Sequence, residues 1–224
     1  MPEWQTYSLA DFLMFAPRTY WRLVELYNAG IWPAQAAVVA VGCAALLLAA
    51  RGGGAAARLI PALLAAAWAW VAWGWLHSRF ATINWPADYI AIAFAVEAAL
   101  LAAFALRRGG LQDAARPVAT RAGLVLAAFA VAAYPFTAPL AGRGMATAEV
   151  AGLMPDPTAI ATLGFVLRAS RGARLALLPI PLLACCASAA MHWTMGAALW
   201  WLPLVAAILA YGLALASGGR ARPS

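Results

Sequence analysis

The stretch 149-EVAGLMPDPTAIATLGFVLR-168 decides how the chain is organised. It is nearly all apolar and has the length, about 20 residues, that a helix needs to cross a bilayer. It also carries Pro155-Asp156-Pro157. Proline removes a backbone donor and pushes the residue before it out of helical geometry, so the stretch is expected to be unwound there, with a half-helix starting near Pro157. Six further apolar stretches, 31–50, 60–80, 88–106, 119–141, 174–191 and 194–216, flank it. Whether 149–168 crosses therefore sets the count at seven or six.

The arginines settle that expectation. With seven crossings, Arg51, Arg58, Arg107, Arg108, Arg116, Arg121, Arg168, Arg171, Arg174, Arg220 and Arg222 share one side, and Arg18, Arg22, Arg79 and Arg143 share the other. Positive residues concentrate on the cytoplasmic side of membrane proteins, and six crossings would nearly even out the split. The same arrangement puts Trp4, Trp21, Trp32, Trp73, Trp75, Trp85 and Trp193 at the outer interface. The predicted fold is all-α: a polytopic helical membrane protein of about seven transmembrane helices, forming one domain over 1–224.

Composition agrees. Of 224 residues, 66% are hydrophobic and 10% charged, against about 45–50% and about 25% in soluble domains. Mean hydropathy is +0.81. The net charge of +7 comes from fifteen basic residues, all arginine. Cytoplasmic loops account for that excess, and no nucleic-acid partner is implied. Cys43, Cys185 and Cys186 lie in apolar stretches without metal-ligand spacing. The N-terminus lacks a basic segment and cleavage site of the signal-peptide kind.

Residues 1–30 read as one or two amphipathic helices lying in the outer interface. Ser8 and Asp11 have capping-box spacing, Pro17 suits a first helical turn, and the helix should end near Gly30. Tyr20, Val24 and Tyr27 share one helical face, with Arg18, Arg22 and Glu25 on the other.

Ionisable groups at membrane depth are costly and mark function. Glu97, mid-way along the third span, is either a proton or cation relay or a neutral acid bonded to a neighbouring helix. Asp156, with Thr158 beside it, is the predicted ligand for a solute or ion, since broken helices line transporter sites; the alternative is that Asp156 only caps the following half-helix. Asn84, His77 and His192 should line an outer vestibule. His77, His192 and Met195 form a candidate soft-metal set, and two histidines on helices can also grip haem; otherwise both are interfacial residues bonded to loops. Trp70, Trp73 and His77 share a helical face, and Asp88 should cap the third span.

Three segments together carry a resemblance: Phe12-Leu13-Met14-Phe15-Ala16-Pro17-Arg18-Thr19-Tyr20 running on to Trp32-Pro33-Ala34-Gln35, His77-Ser78-Arg79-Phe80 with Ile83-Asn84, and Met154-Pro155-Asp156-Pro157-Thr158 leading to Gly164. The chain resembles a family of uncharacterised bacterial polytopic membrane proteins with a domain of unknown function. In similar proteins the PDP reads PCP, so Asp156 replaces a soft ligand with a hard one. The resemblance implies a bacterial inner membrane and no particular cofactor; the arginine split puts the N-terminus outside and the C-terminus in the cytoplasm.

The leading expectation is a protein that binds or transports a small solute or ion at the broken fifth span. The alternative is an accessory subunit of a larger membrane complex that holds haem or metal. Association into a homo-oligomer fits either. No nucleophile elbow, phosphate loop or zinc-protease signature is present, which weighs against an enzyme.

Overall fold

The computed structural model describes residues 14–111 and 115–217. Among them ten α-helices follow in chain order: α1 (Pro17–Gly30), α2 (Ala34–Arg51), α3 (Gly54–Trp70), α4 (Ala87–Leu106), α5 (Pro117–Ala128), α6 (Thr137–Leu140), α7 (Pro155–Val166), α8 (Arg171–Leu177), α9 (Pro179–Thr194) and α10 (Trp201–Ala216). A π-helical stretch, Val71–His77, prolongs α3, and another, Phe129–Ala133, leads from α5 towards α6. The described residues contain no strand, as the all-α expectation requires.

Pro17 opens α1 where its missing N–H has no partner to lose. Tyr20, Val24 and Tyr27 are buried, and the Arg22–Glu25 pair (2.8 Å) lies on the other face. The expected amphipathic helix is thus in place up to Gly30. The Ser8–Asp11 pair lies outside the described residues.

The bundle has two distinct ends. At one, the Asn28 amide donates to the carbonyls of Ala146 and Ala148 (2.8 and 2.9 Å), and the Tyr20 ring meets Phe80 and His192. At the other, Arg168 donates to the Ala49 carbonyl (2.6 Å), the Ala115 amide to Arg168 (3.1 Å), and Arg174 to the Ala214 carbonyl (3.3 Å). These are called the α1 end and the arginine end below.

Among the described residues four helical segments are long and apolar enough to cross a membrane: Ala34–Arg51, Gly54–Thr82, Ala87–Leu106 and Pro117–Leu140. The pair α8 and α9, bent by 42°, makes a fifth if taken as one. Of the expected 149–168 span only Pro155–Val166 is helical, and it starts two residues earlier than predicted. The reason is that proline is favoured in a first turn, so Pro155 and Pro157 both fit there. Large apolar side chains face outward along the bundle, among them Leu106 (87% exposed), Leu140 (78%) and Val118 (71%).

Helix α7 is the hub: every residue from Asp156 to Val166 is buried, with α3, α5, α9 and α10 packed around it. Glycine makes the α5 contact. A Cβ on Gly164 would sit 2.5 Å from the Ala127 nitrogen and 2.6 Å from the Gly123 carbonyl, and one on Gly123 would strike the Gly164 carbonyl. Small residues allow such backbone-to-backbone approach between helices.

Prolines inside helices free carbonyls that other segments then use. Pro61 cannot bond the Ala57 carbonyl, and the Leu111 amide takes it at 2.6 Å. Gly110, at φ +58°, packs so closely on Ala57 that a side chain would collide with the same carbonyl. Ahead of α7, the Leu153 carbonyl accepts from the Tyr27 hydroxyl at 3.2 Å.

Two local expectations are corrected. Asp88 lies in the first turn of α4, but its carboxylate meets His77 Nδ1 (2.8 Å) and makes no cap bond. Trp70 and His77 do not share a face, because the π-helical stretch intervenes and breaks the 3.6-residue period. Trp70, itself exposed, donates to the Tyr27 hydroxyl (2.8 Å), while the more exposed Trp73 ring lies on His77 (4.8 Å).

Gly164→Leu is expected to lower the unfolding midpoint of the detergent-purified protein, since overpacking a tight contact costs about 1–3 kcal/mol or more. Gly172→Leu, where a Cβ meets nothing within 4 Å, is the control and should shift it little. Equal midpoints for the two variants would refute the α5–α7 contact.

Candidate functional site

Asp156 stands in the first turn of α7, where the helix dipole favours a carboxylate. It is buried, and two neighbouring elements supply hydroxyl donors. The Tyr134 hydroxyl, just past the π-helical stretch that follows α5, donates to Oδ2 at 3.1 Å. The Ser188 hydroxyl on α9 donates to Oδ1. One turn further along α9, His192 brings Nδ1 to 3.6 Å from Asp156 Oδ2. That is too long for a hydrogen bond. Glu149 enters from the extended segment ahead of α7, buried, with Oε1 lacking any hydrogen-bond partner. One donor atom from each of Glu149, Asp156 and His192 lies within 4.8 Å of the others.

Above this cluster, at the α1 end, is a cavity of about 270 Å³. Trp21, Tyr134, Arg143, Glu149, His192 and Met195 line it, and the exposed Gly196 and Ala198 border it towards the surface. The Arg143 guanidinium lies 3.4 Å over the Trp21 ring, and its Nη1 has no hydrogen-bond partner. Burial pulls the Arg143 guanidinium below its ordinary value, opposed chiefly by Glu149 and then by Tyr20, Tyr134 and Asp156. It stays charged all the same, as arginine does in proteins. Tyr20 closes the floor on the α1 side, its ring 6.2 Å from that of His192. Burial, reinforced by the Glu149 and Asp156 carboxylates, holds the Tyr20 phenol well above its ordinary value, so it remains a protonated donor.

The predicted site residues divide. Asp156, His192 and Met195 come together at this pocket. His192 is buried instead of interfacial, because α1 lays Tyr20 and Trp21 across it. Thr158 faces elsewhere: its hydroxyl donates to the Met154 carbonyl (2.6 Å), accepts from the Gly152 amide (2.7 Å), and lines a separate apolar cavity of about 420 Å³. Asn84 sits half-buried in the turn before α4 and does not line the acidic pocket. Exposed His77 pairs with Asp88 and shares no partner with His192, so the two histidines do not grip a common haem or metal. Glu97 is fully buried on α4 beside Phe94 and Ala98, and neither of its oxygens has a hydrogen-bond partner.

Sequence reading missed Glu149, Tyr134, Ser188 and Arg143. The i, i+4 spacing of Ser188 and His192, which places both on one face of α9, was the available signal. His192 has the carboxyl groups of Asp156 and Glu149 near it as well as Met195, whereas Cys185 is buried, and Cys43 and Cys186 are exposed.

The model of a family of unknown function, DUF6064, matches residues 18–222. The chain belongs to this family. Apart from Pro17, the match takes in all ten helices, and it covers every residue of the pocket, in line with the resemblance to an uncharacterised family. No curated protein and no solved structure matches the chain.

Removing the Tyr134 hydroxyl leaves Asp156 short of a donor, and a hydrogen bond to a charged group contributes about 1.5–3 kcal/mol. Tyr134→Phe is therefore expected to lower the unfolding midpoint in detergent, and Tyr211→Phe, on the exposed side of α10, to leave it unchanged. An unaltered midpoint in Tyr134→Phe would show that Asp156 does not depend on it.

Proposed function

We propose that this chain is a seven-crossing membrane protein that takes a small cation from the outer face into the Glu149–Asp156–His192 pocket. One observation carries the reading: two carboxylates and an imidazole are closed off from water beneath a cavity that reaches the surface. Groups of this kind are retained at membrane depth where they serve an ion or proton path. Two buried carboxyl groups stand together beneath a single guanidinium, so a positive guest can replace the proton that would otherwise keep them from repelling each other.

The crossing count is supported by the two ends of the bundle. The chain runs from the α1 end to the arginine end along α2 and returns along α3. It repeats this with α4 and α5, enters again through 149–168, and finishes with α8–α9 and α10. The leg 149–168 is irregular over 149–154, with a turn at Gly152 and Leu153, and helical from Pro155 to Val166. That is tolerated at membrane depth only where protein surrounds the irregular backbone, as it does here. Apolar side chains directed outward suit a lipid surround. The arginine end then faces the cytoplasm and the pocket faces outward, in a bacterial inner membrane.

Two measurements test this. A cysteine at Ala198, in a background with Cys43, Cys185 and Cys186 replaced by alanine, should react with an impermeant maleimide in intact cells. A cysteine at Ala55 should react only after permeabilisation. Labelling of both from the same side overturns the topology. In proteoliposomes, proton and divalent-cation entry read with internal dyes should fall by about tenfold or more in Asp156→Asn, equivalent to at least ~1.4 kcal/mol. Wild-type rates in that variant overturn the assignment of the pocket.

A further inference from the structure

We propose that the guest is a single divalent transition-metal ion of the zinc class, held by Glu149, Asp156 and His192. This deepens, and rests on, the cation-binding reading above. Three observations lead to it.

The first is the contact between His192 and Asp156. Nδ1 and Oδ2 face each other at 3.6 Å, beyond hydrogen-bond range. Two electron-pair donors at that separation suit a shared metal, since bonds of about 2.0–2.2 Å place tetrahedral ligand atoms about 3.4 Å apart. The second is Glu149, which approaches from a different element, buried to 3% exposure, with an oxygen that bonds nothing. The donor atoms of all three lie within 4.8 Å of one another.

The third is charge. A dication neutralises the two closed-off carboxylates, and burial of charge is tolerable when it is paired or bound to metal. Arg143 does not occupy that role: it reaches in from the exposed turn at Gly142 and Gly144, and its guanidinium lies over Trp21. Tyr134 and Ser188 donate to the two Asp156 oxygens, as outer-shell donors do for ligating carboxylates.

The donor set selects the metal. Imidazole with two carboxylates suits zinc, manganese, iron or cobalt, whereas magnesium and calcium prefer oxygen alone. Three protein ligands leave one coordination position open on the cavity side, the arrangement of metal sites that exchange a ligand rather than merely brace a fold.

The test uses the full chain in detergent, stripped with a chelator and titrated with Co2+. Stoichiometric visible ligand-field bands are expected, bleached by Zn2+ and untouched by Mg2+ in large excess. His192→Gln and Glu149→Gln should each weaken Co2+ binding by more than about 100-fold, because even outer-shell partners contribute roughly 10–100-fold. His77→Gln should bind as wild type. Should one pocket variant fail to fold, the other still decides. Absent bands in the folded wild-type protein, or bands that survive both pocket variants, overturn the metal assignment. If bands are absent while Asp156→Asn still abolishes proton entry in proteoliposomes, the pocket serves protons and only the dication is refuted.

Discussion

A twelve-residue helix with no face to the outside must satisfy its polar ends within the protein, and this constraint on α7 organises everything around it. Backbone groups in a dry interior cannot be left unbonded. Thr158 therefore ties the Gly152 amide and the Met154 carbonyl to the first turn, and Tyr27 reaches in from α1 to take the Leu153 carbonyl. At the other end, the Ala115 amide bonds the Arg168 carbonyl. The glycines at 123 and 164 let α5 come near enough to bring Tyr134 to Asp156. The pocket is thus built from the same contacts that close the ends of α7.

Much of the fold was legible because it is local. The face made by Tyr20, Val24 and Tyr27 follows from helical spacing, and the break at Pro155-Asp156-Pro157 follows from proline chemistry. Burial of Glu97 follows from its place in an apolar run. What was illegible depends on contacts distant in sequence. Glu149 counted only as the first residue of a span, because nothing nearby shows that the chain turns at Gly152 and Leu153 before α7 and leaves Glu149 beside His192. Tyr134 reads as one more aromatic residue before a proline until α5 is set against α7. His77 and His192 looked equivalent in sequence. One pairs with Asp88 at the surface, and the other is covered by α1.

The prolines show why composition misleads in a chain of this kind. Read singly, they suggest kinks. In the fold, Pro61 acts through the carbonyl it releases, which the Leu111 amide takes, joining segments more than forty residues apart in sequence. Pro157 stands in the first turn of α7 and costs that helix no bond. At Pro61 the helix loses a bond and the tertiary structure gains one.

The two π-helical stretches, Val71–His77 and Phe129–Ala133, both run towards the α1 end. Each is wider than an α-turn, so the side chains beyond it point where an unbroken α-helix would not place them. A single-residue deletion within Phe129–Ala133 would turn everything after it by about 100° relative to α5. Tyr134 would then swing away from Asp156 although no pocket residue had been changed. The pocket is in this sense gauged by chain length as well as by side-chain identity, and a gene that drifts by one codon there loses more than one that drifts by a base.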